Sequence, residues 1–228
     1  MNKQIVVIGA SRGIGAALVK RYAANPNHHV FAFSRNLKAM ESIFTEKNVT
    51  CFSLDLSADV RNQFSPILDQ LPLIDVLVEN AGFLVNKPFS ALSHEDITTS
   101  YQVNVIGVME SIQCLLPKLN PEGAHIVNIS SMGGFQGSMK FAGLAAYSTS
   151  KAALCSFTEL FAEEFKSSNI KMNCLCLGAV QTEMLAEAFP GYEAPLSPEQ
   201  MATFIEDFSF HAQHYMNGKI VPVSLTNP

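Results

Sequence analysis

Two groups of residues in this 228-residue chain could do chemistry. Tyr147 and Lys151 stand four apart, a spacing that puts both side chains on one face of a helix, one turn from each other. A phenol titrating near its ordinary value of about 10 is a poor acid–base group at neutrality, but an adjacent ammonium favours the phenolate and brings that value down. Such a pair could pass a proton to a carbonyl oxygen while a serine hydroxyl hydrogen-bonds the same atom. Spacing alone decides nothing, because Tyr215 and Lys219 repeat it. That second copy contains Gly218 and runs into an extended stretch at Ile220, so its side chains need not share a helical face. The first copy follows a β-branched run, 125–129, ending in Ser130-Ser131, with a loop containing Gly133, Gly134, Gly137 and Gly143 between them. A serine at the carboxyl end of a strand sits where open α/β sheets bind ligands.

The second group is Gly9-Ala-Ser-Arg-Gly13-Ile-Gly15, between a first strand and a first helix. Missing side chains there let the backbone turn tightly and approach a pyrophosphate at a helix N-terminus, whose free N–H groups and dipole favour an anion. The spacing is Gly-x-x-x-Gly-x-Gly, not the commonest dinucleotide fingerprint, and alone it would also serve as a plain strand-to-helix turn. Its place at the start of a strand–helix–strand unit favours the nucleotide. An acid at the tip of the second strand would bind a ribose 2′-OH, but this tip carries Ser34-Arg35. Arg35 and Arg12 can both face a 2′-phosphate that a carboxylate would repel, so the expectation is NADP(H) in preference to NAD(H).

Both groups need a scaffold that brings strand ends together. Short β-branched runs at 4–8, 29–33, 49–53, 74–78, 125–129, 170–177 and 220–223 alternate with helical stretches such as 14–24 and 58–70. The longest helical candidates cover 95–116 and 146–167, the second with Leu154, Phe157, Phe161 and Phe165 at helical spacing. This alternation predicts a Rossmann-like, doubly wound, mainly parallel seven-stranded sheet with helices on both faces, in one domain spanning 1–228. The segment around Pro190, Pro195 and Pro198 reads as an excursion within that domain.

Composition narrows the function classes. Net charge is −5 with no basic run, which disfavours nucleic acid as a partner. The apolar run Ile5–Ile8 is too short for a secretory or membrane segment, and nothing later nears about 20 apolar residues. A cytoplasmic protein without a membrane partner is expected. Charged residues make up 15% against about 25% in an average soluble protein, leaving apolar surface for self-association. The cysteines are an odd set of 5 without framework spacing, so reduced thiols are expected. Cys174 and Cys176 share one face of a strand, but no histidine follows at ligand spacing; core packing is expected and no metal is assigned.

These residues resemble the short-chain dehydrogenase/reductase family over nearly the whole chain. Gly9–Gly15 is similar to its cofactor loop, Asp55-Leu56 to its adenine-side contact, and Glu79-Asn80-Ala81-Gly82 to a variant of its Asn-Asn-Ala-Gly segment. The resemblance implies catalytic roles for four residues. Asn104 would position the lysine and a relay water, Ser131 would polarise the substrate, and Tyr147 would be the acid–base residue. Lys151 would lower the tyrosine's pKa and bond the nicotinamide ribose. It further implies cofactor contacts from Gly9, Ser11, Arg12, Gly13, Ile14, Gly15, Ser34, Arg35, Asp55, Leu56, Asn80, Ala81, Gly82, Tyr147, Lys151, Gly178, Val180 and Thr182. An NADP(H)-dependent oxidoreductase interconverting a carbonyl and an alcohol follows, as a homodimer or homotetramer built through the two long helices. Glu79 replaces an asparagine, Leu177-Gly178 stands for the usual Pro-Gly, and 184–198 is short for a substrate lid. These departures slightly favour a competing reading, a non-catalytic nucleotide-sensing interaction protein on the same fold, while the intact quartet disfavours it.

Overall fold

The computed structural model describes residues 2–225. Seven strands form one sheet in the order β3-β2-β1-β4-β5-β6-β7. They are β1 (Gln4–Ile8), β2 (His29–Ser34), β3 (Val49–Ser53), β4 (Val76–Glu79), β5 (Ala124–Ser131), β6 (Ile170–Leu177) and β7 (Ile220–Val223). Every neighbouring pair is parallel. All seven expected strands are present, so the Rossmann-like doubly wound sheet read from the sequence is the fold observed.

Strand β1 shows why the apolar runs are continuous. Ile5 and Val7 point into a core with helices α1 (Gly13–Ala23) and α8 (Pro198–His211), while Val6 and Ile8 point into a second core on the other face. All four side chains are essentially inaccessible. Burying them contributes roughly 1.5–3 kcal/mol each, and a one-residue register slip would exchange the two sets.

Between these lie α2 (Leu37–Ile43), α3 (Val60–Phe64), α4 (His94–Tyr101), α5 (Gly107–Leu115), α6 (Ala145–Glu164) and α7 (Glu183–Ala188). The expected helix over 58–70 is shorter: Asp59 caps α3 by accepting from Asn62 N–H, and Pro66, which lacks an N–H, ends the run. The long helix expected over 95–116 carries a π turn at Gln102–Ile106 between α4 and α5. There the Gly107 N–H donates to the Gln102 carbonyl, five residues back. A Cβ on Gly107 would lie 2.7 Å from Leu56, so glycine is what lets this helix press on the end of β3. Strand β4 starts later than expected, because Asp75 bends the chain while its carboxylate accepts from Lys3 Nζ and Gln4 N. Among the described residues no helix is long and apolar enough to cross a membrane.

Candidate active site

The order reverses between β1 and β4, and loops leave these strands side by side at the carboxyl edge. Gly9, at φ +89°, takes the left-handed turn, and its N–H donates to the Phe33 carbonyl at 2.8 Å. A Cβ there would meet Ala81 N at 2.5 Å. Asn80 ties the two loops by donating from Nδ2 to the Gly9 carbonyl at 2.9 Å. Ser34 donates to Ser11 at 2.8 Å, closing the β2 side of the crevice.

Helix α1 begins at Gly13 with no side-chain cap from Arg12 and no acid in its first turn. Its free N–H groups therefore remain available to an anion, which fits a dinucleotide pyrophosphate. Thr182 and Glu183 approach Gly13 from above: its Cβ position lies 3.2 Å from Thr182 Cγ2 and 3.4 Å from a Glu183 oxygen. Thr182 caps α7, accepting from Leu185 N–H. Arg35 is exposed at the tip of β2, whereas Arg12 is paired with Glu187 of α7 at 2.5 Å. Of the two arginines expected to face one phosphate, Arg12 is thus engaged by Glu187 of α7.

Ile14, Gly15, Asp55, Leu56 and Gly82 lie along the same edge, at the start of α1 and beyond β3 and β4. The Asp55 carboxylate accepts from Ser57 N–H and Oγ, and Leu56 packs on Gly107. Past β6, Gly178 N–H donates to the Val223 carbonyl, and its Cβ would sit 2.6 Å from Ser224 Oγ, so a side chain is unwelcome there. Val180 bridges to Leu196.

Strand β5 delivers Ser131, and α6 delivers Tyr147 and Lys151. Gly133 and Gly134 press the intervening loop onto α6: their Cβ positions would meet Ser148 Oγ and the Lys151 backbone, both at 2.6 Å. Lys151 is buried, its Nζ donating to the Ile129 carbonyl at 2.8 Å, while Ser130 donates to the Lys151 carbonyl at 2.9 Å. The π turn sets Asn104 inward, where Nδ2 donates to Phe83 O and Ser150 Oγ and Oδ1 accepts from Phe83 N–H. Ser150 in turn donates to the Tyr147 carbonyl at 2.7 Å.

Burial pushes the Tyr147 phenol above its ordinary value, and hydrogen bonding to Ser131 opposes it. This differs from the expected lowering by Lys151: burial dominates, and Ser131 rather than Lys151 is the group that opposes it. The raised value keeps the phenol protonated at neutrality, the form that can donate. Burial likewise brings Lys151 down to about 8, with charge from the nearby thiols acting against it. The second copy stays apart: Tyr215 is 86% exposed, and Gly218, at φ +68°, lies between it and Lys219. A cavity of about 1190 Å³ opens at Ser11–Gly13 and runs between α1, α7 and α8; Tyr147 is not among the residues that line it.

Sequence reading missed Ser150, Ser130, Phe83 and the environment of Glu79. Ser130 was within reach of it, since adjacent strand residues face opposite ways and only one of the pair could face the crevice. Ser150 and Phe83 carry no such signal; they matter through the π turn and the close fit of α4 on α6.

A family model described as short chain dehydrogenase matches residues 3–193. The chain belongs to that family. Among curated relatives, carbonyl reductase family member 4 of Xenopus laevis is 31% identical over 194 residues, covering 82% of this chain and 79% of its own. The 3-oxoacyl-[acyl-carrier-protein] reductase FabG of Aquifex aeolicus is 29% identical, covering 98% and 96%. A solved short-chain dehydrogenase of Escherichia coli CFT073, described as putative and complexed with NADPH, superposes with a TM-score of 0.87 at 26% identity over 97% and 96% of the two chains. This family member is accordingly an oxidoreductase of the nicotinamide-dependent kind.

Proposed function

We propose that the chain reduces, or in reverse forms, a small ketone or aldehyde with NADP(H), all of 1–228 working as one cofactor-binding domain. The observation that carries this reading is the meeting, at one carboxyl edge, of Ser131, Tyr147 and buried Lys151 with the uncapped N-terminus of α1. The residues already named along β1, β3, β4 and β6 would hold the dinucleotide, with Ser34 and Arg35 meeting a 2′-phosphate. When bound, the nicotinamide supplies the hydride. Ser131 hydrogen-bonds the substrate oxygen, and Tyr147 Oη gives that oxygen its proton as the C–H bond forms, leaving an alcohol and a phenolate. Lys151 Nζ stabilises the phenolate and holds the next proton, while Asn104 ties the π turn to the loop after β4 through Phe83 and to α6 through Ser150. The NADPH-bound relative and the absence of an acid at the β2 tip support NADP(H) over NAD(H).

The short segment over α7 supports a small or loosely held substrate. Exposed Ile106 at the π turn, Met109 on α5 and Leu160 on α6 support a homodimer or homotetramer, and we place the protein in the cytoplasm on the sequence reading alone. The test is Tyr147→Phe against a panel of carbonyl compounds, following NADPH consumption. Turnover should fall by about 10²–10⁴-fold while NADPH binding persists. Full activity removes Tyr147 as donor, and nucleotide binding without turnover by the unaltered chain favours a nucleotide-sensing protein instead.

A further inference from the structure

We propose that Cys155, Cys174 and Cys176 form a binding site for a soft divalent d¹⁰ cation, of the zinc or cadmium kind, behind the Tyr147–Lys151 face. Cys174 and Cys176 alternate along β6 and so project from one side of it. The third thiol arrives from α6, where Cys155 follows Lys151 by one turn. All three Sγ atoms lie within 4.8 Å of one another, with Cys155 Sγ 3.9 Å from Cys174 Sγ and 3.5 Å from Cys176 Sγ. Thiolates bound at about 2.3 Å around one zinc ion stand roughly 3.8–4.0 Å apart, so the sulfurs need little movement.

The surroundings suit an ion as well. Residual exposure is 8% at Cys155 and 0% at the other two, and Met132, Phe135 and Ile220 pack around them, an apolar shell that strengthens binding. Ser130 Oγ lies 3.5 Å from Cys155 Sγ, an oxygen beside the three sulfurs. Three thiolates around a divalent ion leave one net negative charge, which matches the buried ammonium of Lys151. Among the described residues no ion pair is recorded for that ammonium. A monovalent ion would leave two negative charges against one positive, which is why the divalent class is favoured. Deprotonation of the thiols on binding releases protons, and no redox change is involved.

The test uses the full chain, reduced, stripped with chelator, loaded with one equivalent of Zn²⁺ or Cd²⁺ and desalted. One ion per chain should remain, with an X-ray absorption first shell dominated by three sulfurs, and Cys155→Ala or Cys174→Ala should lose it. Cys51→Ala and Cys114→Ala should retain it. Substoichiometric retention, an oxygen- and nitrogen-dominated shell, or unchanged retention in Cys155→Ala overturns the proposal. Should the alanine variants fold poorly, the absorption spectrum of the unaltered chain still decides. Neither readout depends on carbonyl reduction, so this proposal and the oxidoreductase reading can fail separately.

Discussion

Glu79 ends β4 where the family's segment carries asparagine, and its carboxyl is 1% exposed. Burial pushes it from its ordinary 4.5 up to about 8, against opposing pulls from Ser111 and Lys151. The local hydrogen bonds agree. Ser111 Oγ lies 2.6 Å from Glu79 Oε1 and 2.8 Å from the Val108 carbonyl, yet has one proton to give. A protonated carboxyl can donate to Ser111 and free that proton for Val108. An acid whose value is raised on folding contributes stability below its unfolded value, and this contribution is lost as pH rises toward the folded value. At about 1.4 kcal/mol per pH unit, the loss attributable to Glu79 is roughly 3 kcal/mol at pH 7 and levels off near roughly 5 kcal/mol above pH 8. Glu79→Gln keeps the shape and the hydrogen bond without a titrating proton. Urea unfolding of both proteins from pH 5 to 9 should show the variant gaining on the parent by about 1 kcal/mol per unit up to about pH 8. Groups that titrate alike in both cancel in that difference. Parallel stability curves would refute the assignment of a buried neutral acid.

Three further outcomes test other parts of the reading. Arg35→Ala should weaken NADPH binding by about 10–100-fold and leave NADH binding nearly unchanged, since only the former presents a 2′-phosphate to the guanidinium; fluorescence titration with both cofactors checks this. Gly134→Ala should destabilise the fold by about 1–3 kcal/mol in urea, because its new methyl would meet the Lys151 carbonyl carbon at 2.6 Å. It should also lower turnover more than cofactor affinity. Leu160→Arg, changing a side chain 67% exposed on α6, should shift the chain toward monomer in light scattering; an unchanged mass would place the interface elsewhere.

What could be read in advance divides along physical lines. The strands were legible because apolar runs buried on both faces leave no alternation to misread, as at Ile5–Ile8. Helix α8 was passed over, although Ser197-Pro-Glu-Gln200 is a capping box with proline at the first turn, because the flanking prolines read as an irregular excursion. The π turn carries no periodicity of its own; it exists because Gly107 lets the helix touch Leu56, a contact 51 positions away. The positions of Tyr147 and Lys151 could be read, since helical spacing is local, but their proton affinities could not. Those depend on how deeply Gly133 and Gly134 sink α6 against β5 and on which acceptor reaches the ammonium first. Lys151 Nζ donates to the Ile129 carbonyl, and burial, opposed by Ser131, sets the proton affinity of the phenol. Under the proposed reaction a substrate oxygen beside Ser131 would be the polar partner that takes the phenol's proton, a pairing that no spacing in the sequence could disclose.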